Sequence, residues 1–266
     1  MEEAAAERAR PARRRAGRGD LRDIRRRPRH PRRPKVFAEL GRSGERTSRK
    51  RVARIMRDNG WAGTTRGGAG RPRSAAKPAA PQANTAPDPV RREFRADGPN
   101  RARFADITYA RTHQGWIHPA VVMDIWSRGT VGWPMAPRMA AELADDALRM
   151  AIAGRLPPRG RIRHSGHGSQ HASLPLGKTM RAAGTRPSMG PVSSPWDNAA
   201  MESLMGPIKA GCVHARAFET RDQAALEIFE CIGCSCNRAR IHSALGNPSP
   251  EEFEARHTED AAPRAA

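Results

Sequence analysis

The sequence predicts an α/β domain preceded by a small all-α region, and three observations carry the prediction. Between residues 102 and 136 three β-like runs follow one another: "ARFADITYAR", "WIHPAVVMDIW" and "GTVGWPMA". A helical pattern, a short strand-like run and further helical patterns come after them, the order of a sheet with helices packed on it. Before residue 64 there are only two short helical patterns, with no strand between them.

Taken in chain order, residues 1–34 are rich in Arg and Pro and almost free of apolar residues, so this basic arm is expected to be disordered. "KVFAELGRSG", 35–44, is helical and ends in Gly. "TSRKRVARIMRDNGWAG", 47–63, is a second helix that Thr47 or Ser48 can cap. Val52, Ile55 and Met56 line one of its faces, and Gly60 ends it. Two short helices around a Gly-containing turn, the second strongly basic, suit a helix-turn-helix unit over 35–63. Arg49, Lys50, Arg51, Arg54 and Arg57 are its candidate DNA contacts. The plainer alternative is a basic surface helix pair. Residues 64–90, mostly Gly, Ala and Pro, read as a linker. The α/β domain then spans 91–255, with a disordered tail over 256–266. In it, "MAAELADDALRMAIAGR" places Leu143, Ala147, Met150 and Ala151 on one helical face, and "RIRHS" is a short strand. "DNAAMESLMGPIKAG" opens at Asp197, a good N-cap, and Thr220 caps the helix of "TRDQAALEIFECIGCSCNRAR".

Charge narrows the partners. The net charge is +21, and residues 1–50 alone hold 18 Lys+Arg against 7 Asp+Glu. A basic arm on a more balanced body points to a polyanion, foremost nucleic acid. A GC-rich genome, whose codons favour Arg, Ala, Gly and Pro, accounts for part of the excess. No run of 18 apolar residues is present, which excludes a transmembrane helix, and the N-terminus lacks the apolar core of a signal peptide. A cytoplasmic location follows as the expectation, and four cysteines then fit reduced thiols.

Two acids are placed where chemistry could use them: Asp106 in a strand and Glu202 in a helix. Phosphodiester transfer commonly uses two divalent metals held by carboxylates converging from separate elements. The surrounding words make the case specific. "FADITY", "GW", "VVMDIWSRGTVGW", "HSGHGSQ", "SMG", "DNAAMES" and "NRARIHSALGNPSPEEFE" occur in that order. They closely resemble insertion-sequence transposases with a retroviral-integrase-type core, over roughly residues 35–255. The resemblance implies an RNase H-like mixed sheet flanked by helices, carrying an Asp, Asp, Glu triad. Asp106 matches the first acid and Glu202 the third. Counting back the family's 35 intervening residues from Glu202 lands on Gly166, in a loop that the family writes His-Ser-Asp-x-Gly-Ser-Gln-Tyr. Glycine stands where the second metal ligand belongs. His164 and His167 flank it and are candidate surrogate ligands, neutral imidazole suiting Mn²⁺ better than Mg²⁺; the alternative is that neither binds a metal.

The resemblance further implies Mg²⁺ or Mn²⁺ as cofactor, with weak binding expected here. It implies the terminal repeats of an insertion sequence as DNA partner, a homo-oligomer on that DNA, a nucleoid-associated location and, by family only, a first-frame partner subunit. Lys209 joins the DNA contacts. Asp124 is expected to be structural, and Asp197 and Asn198 to cap and position the helix of Glu202. Other departures from the family suit a decayed copy. Arg103, His118, His171, Cys231 and Cys236 stand where the family tends to have aromatics. Pro119 falls in a strand, and Gly206 and Pro207 in the helix of Glu202, where an interior proline costs about 3 kcal/mol. Cys231, Cys234 and Cys236 invite a zinc reading, but on an α-helix Cys236 would point away from the other two, which favours free thiols. Ser165 and Ser169 lie near histidines without a nucleophile elbow, so a Ser-His hydrolase is set aside. The expected function is DNA transposition by metal-dependent cleavage and strand transfer, disabled by Gly166. The alternative is a non-catalytic DNA-binding remnant or an inhibitor of an intact transposase.

Overall fold

The computed structural model describes residues 32–61, 86–155, 159–166, 168–190, 198–213 and 217–261. They fall into two compact units, one within residues 1–69 and one within 70–266. The Arg-rich arm up to residue 31 and most of the expected linker lie outside the described residues.

The described residues of the first unit form a helix pair, α1 (Arg33–Arg42) and α2 (Arg49–Asp58). Pro34 sits in the first turn of α1, where its missing N–H costs nothing. Val36 and Leu40 of α1 meet Val52 and Met56 of α2, with Phe37 and Trp61 packed against them. Ile55 is only half-buried. Of the two candidate caps, Ser48 does the work: its Oγ accepts the Arg51 N–H at 3.2 Å.

The second unit is a seven-stranded mixed sheet. Its strands are β1 (Ala102–Ile107), β2 (Ala110–Thr112), β3 (Gly115–Asp124), β4 (Thr130–Gly132), β5 (Met135–Ala136), β6 (Ile162–Ser165) and β7 (Arg186–Met189). The order is β2-β3-β1-β6-β7, with β4 and β5 also on β3. β1 is antiparallel to β3 and parallel to β6, which is parallel to β7. One face packs on α3 (Ala141–Gly154) and α4 (Leu174–Ala182). There Ala105, Ala120 and Val122 meet Leu143, Ala147 and Ala151, and Leu148 meets Leu176 and Met180. The other face packs on α5 (Ala199–Ile208) and α6 (Arg221–Glu230), where Phe104, Val121 and Met123 meet Met201, Leu204, Ile208 and Ile228. A last helix, α7, runs from Pro250 to Ala261.

Several details differ from the sequence reading. Met150 is exposed, because the buried arc of α3 centres on Ala144, Ala147 and Ala151 and leaves Met150 on its rim; its Sδ accepts the Trp133 N–H at 3.2 Å. The N-cap position of α5 is Asn198, with no side-chain cap bond, and Asp197 lies outside the described residues. Ordered packing begins inside the stretch read as linker, since Val90 belongs to the main core. α7 continues past 255 because no breaker stands between Phe253 and Ala261. β7 and α4 escape a pattern reading. β7 is four residues long and carries Pro187, which an edge strand tolerates; α4 opens on Pro175 and contains Gly177.

The two prolines expected to damage the fold act locally. Thr108 N–H donates to Pro119 O at 3.0 Å, and Pro119 has no N–H to return. That missing bond is what divides β1 from β2. The register is unbroken across it, from Asp106↔Val121 and Ile107↔Ala120 to Ala110↔Ile117. Pro207 lies within α5 without ending it; the chain passes on into a π-helical turn, Lys209–Val213. Gly132 is required by packing: a Cβ there would collide with the Ala147 carbonyl of α3.

Arg103 is the misfit in the sheet. Its side chain is 1% exposed, and its Nε and Nη1 find no acceptor among the described residues. Nη2 donates to Asn100 Oδ1 at 2.9 Å and to Arg155 O at 3.3 Å. Burial, then the charge of Arg161, pushes its pKa down to about 10, against the attraction of Asp124. Replacing a poorly satisfied buried charge with an apolar side chain is commonly stabilising. Arg103→Leu is therefore expected to stabilise the protein by about 1–2 kcal/mol, read as a rise in Tm of about 2–4 °C per kcal/mol. An unchanged or lower Tm would show that the bonds to Asn100 and Arg155 outweigh the misfit.

Candidate active site and basic helix

Phe104 and Asp106 are two residues apart on β1 and so project from the same face of the sheet, the face covered by α5. That brings Asp106 toward Glu202, in the first turn of α5. Asp106 is half-buried; Glu202 is exposed. The two carboxyls are electrostatically coupled. Burial raises the Asp106 pKa most, the Lys209 ammonium and the Ile107 N–H lower it, and the Glu202 charge raises it again. The Ile107 N–H lies 2.9 Å from Asp106 Oδ1. Lys209 follows α5 directly, so the helix delivers both an anion and a cation to the strand acid.

Gly166 lies in the same place by register. β6 runs parallel to β1, and its last pair is Ala105↔Ser165. One step further sets Gly166 level with Asp106. Among the described residues a Cβ on Gly166 would meet nothing within 4 Å, and its backbone is not in the left-handed region. The position has room for a Cβ among the described residues, and it carries no acid.

The flanking histidines divide. His167 lies outside the described residues. His164 is buried: its ring packs 4.8 Å from that of Phe104, its Nδ1 lies 2.8 Å from Ser188 Oγ, and Ser188 Oγ donates to Asp88 Oδ1 at 2.9 Å. That network ties the approach to the domain onto β6 and β7, and occupies Nδ1. Asp88 could not be found from sequence, since it stands among linker-like residues. Among the described residues no group of three or more His, Cys, Asp or Glu is placed to hold a metal ion. Two carboxylates, one held toward its protonated form beside an ammonium, do not make the donor set that a pair of hard divalent cations needs.

Asp124 is remote from this group. It pairs with Arg103 at the far end of the β1–β3 ladder, is fully buried, and accepts from Asn100 N at 3.2 Å and Trp126 N at 3.4 Å. Burial raises its pKa. These bonds fasten the ends of β1 and β3. Asn198 is half-buried at the start of α5, its Oδ1 without a hydrogen-bond partner among the described residues.

The cysteines correct the helical reading. After α6 the chain continues as a π-helix, Cys231–Ala239. With bonds spanning five residues, Cys231 and Cys236 share a face and Cys234 points to solvent. The Cys231 thiol hydrogen-bonds those of Cys212 and Cys236, and Cys212 donates to Glu227 O at 3.4 Å. The Cys212 thiol most of all, with burial, pushes the Cys231 pKa up to about 12, the neutral state of a packed thiol.

In the first unit, Arg49, Lys50, Arg51, Arg54 and Arg57 are all exposed along α2. The Arg49 guanidinium lies over the Phe37 ring, 5.5 Å from its centre. Among the described residues no helix is long and apolar enough to cross a membrane.

A mixed sheet with an acid on its central strand and a second on the helix laid across it defines an RNase H-like core. Two family models, both described as integrase core domain, match residues 96–195 and 183–250. The chain belongs to the integrase core domain family. It is 42% identical over 165 residues to Transposase InsF for insertion sequence IS3A of Escherichia coli K12, covering 62% of this chain and 57% of that one. It is 38% identical over 168 residues to the transposase for insertion sequence element IS904 of Lactococcus lactis, covering 63% and 66%. The chain thus spans less than two thirds of the length of these relatives. Among solved structures, the simian T-cell lymphotropic virus intasome in complex with PP2A regulatory subunit B56 gamma matches with TM-score 0.51 and 15% identity, over 86% of this chain and 72% of that one. That likeness concerns the fold alone.

Proposed function

We propose that this chain is a DNA-transposition protein of the integrase-core type that binds insertion-sequence ends but has lost strand cleavage and transfer. The observation that carries the reading is Gly166, level with Asp106 and with no described residue within 4 Å of where a Cβ would stand. Asp106 and Glu202 are the surviving members of the triad, with Lys209 beside them to attract a phosphate. Mg²⁺ or Mn²⁺ is the family's expected cofactor, and the residues present do not fit it. Two functional regions follow: 35–63 for DNA binding and 91–255 for the core. A homo-oligomer on DNA and a first-frame partner subunit belong to the same reading.

The test is binding and nicking of matching element-end duplex. Wild-type protein is expected to bind it with an affinity that falls steeply with salt, and not to cut it. Arg54→Ala with Arg57→Ala should flatten the log–log salt slope by about one per lost phosphate contact. Binding indifferent to salt and to these residues would refute the DNA-binding role. Nicking by the wild type would refute the loss of activity.

A further inference from the structure

Pro207 denies one hydrogen bond to the helix that carries Glu202. In an α-helix the N–H of residue 207 would donate to the carbonyl of residue 203. Proline has no N–H, and its ring crowds that carbonyl. The orphaned acceptor is therefore Ser203 O, adjacent in the chain to Glu202 and one turn before the proline. An interior proline commonly kinks or breaks a helix here, yet α5 runs unbroken to Ile208.

The replacement donor comes from another element. Arg240 Nη2 donates to Ser203 O at 3.0 Å. Arg240 ends the π-helical segment and is half-buried. The Cys236 and Cys231 thiols lie within electrostatic reach of its guanidinium, while Nε and Nη1 find no hydrogen-bond partner among the described residues, so Ser203 O is the acceptor that its geometry shows. The arginine is thus fixed to α5 by the helix carbonyl of Ser203. A charged donor on a carbonyl is a strong bond, and the fork geometry of Arg fixes its direction.

The geometry points to Arg240 as the positioning residue for Glu202: it supplies in trans the hydrogen bond that Pro207 removes, and so keeps the acid-bearing turn helical and aimed at Asp106. The replacement bond stands on the geometry alone. Its consequence for Glu202 rests on the proposed transposase core, so the test below uses no DNA cleavage and can fail separately from that reading.

The test is a double-mutant cycle on the full chain. Arg240→Ala alone is expected to lower the folding equilibrium constant at least about tenfold, the range for losing a charged hydrogen bond. It should also speed hydrogen exchange at the Leu204, Met205, Gly206 and Ile208 amides. Pro207→Ala gives residue 207 an N–H that can reach Ser203 O. In that background Arg240→Ala is expected to cost less than about threefold, with exchange in α5 no longer accelerated. Rescue by a backbone N–H thirty-three residues away in sequence is something a merely space-filling arginine would not show. Equal costs in the two backgrounds, or no cost in either, would overturn the assignment. If Arg240→Ala does not fold, Arg240→Lys, which keeps a donor without the fork, enters the same cycle. The same rescue by Pro207→Ala is then expected, and its absence overturns the assignment equally.

Discussion

Gly166→Asp is expected to give metal-dependent nicking of element-end DNA at least about 10³-fold faster than wild type in Mn²⁺ or Mg²⁺. The size of the effect is that of losing an electrostatic contact made to a transition state at a site built around charge. The first steric condition is met, since among the described residues an added Cβ meets nothing within 4 Å. So is the topological one, since the parallel register sets residue 166 beside Asp106. A second reading needs no DNA. A third carboxylate beside Asp106 and Glu202 adds like-charge repulsion, which a bound divalent cation reverses. The variant should therefore show a Tm that rises with Mn²⁺ concentration, and the wild type should not. A folded variant with a metal-dependent Tm but no nicking would move the defect away from the carboxylates. A variant whose Tm ignores Mn²⁺ would refute the placement of residue 166 in the site.

The second large effect concerns pH. His171 is 6% exposed, and its Nδ1 faces Arg163 Nη2 at 3.1 Å. Burial first, and the Arg163 charge second, push its pKa down to about 3. The folded pKa lies below that of the unfolded chain, near 6.5, so the unfolded state binds the proton more readily. The stability is complete above about pH 6.5 and is lost as the pH falls toward 3. Between pH 7 and pH 5 the loss from this one group amounts to about 2 kcal/mol. Protonation also turns the acceptor nitrogen into a donor aimed at another donor. Urea unfolding at both pH values measures the difference. His171→Tyr, the residue the family loop resemblance places there, is expected to remove most of it. A wild-type midpoint unchanged from pH 7 to 5, or an equally steep loss in His171→Tyr, would show that His171 is not the acid-labile group.

The sheet was legible because local patterns and chain order agreed. β1, β3 and β6 read directly as alternating or apolar runs, and the 35-residue spacing that points to Gly166 comes from the family resemblance. The companions of the site were less legible. Asp88 sits in a Pro-rich stretch whose composition says linker, yet it holds Ser188 of β7. Lys209 read as a DNA contact, and the fold sets it beside Asp106 as well. Arg240 carries no sequence signal for its bond to Ser203, because a side chain replacing a backbone donor obeys no period. The cysteines misled for a related reason. An α-helix turns every 3.6 residues, and the chain there winds more widely. Pro119 and Pro207 mark real losses of a hydrogen bond, but the elements around them over-determine the backbone and confine the damage to single bonds.

The chain has one tyrosine, and the fold sets its ring 5.2 Å from that of Trp116, edge to face, on the exposed end of the β2–β3 ribbon. At that separation an excited Tyr109 passes its energy to the indole before it can emit. The folded protein should therefore show tryptophan light alone when excited in the tyrosine band. A tyrosine shoulder near 300 nm should emerge only when the β2–β3 ribbon, whose β3 also pairs with the strand of Asp106, comes apart. The molecule carries its own optical gauge of whether the acid strand is assembled, needing neither label nor DNA.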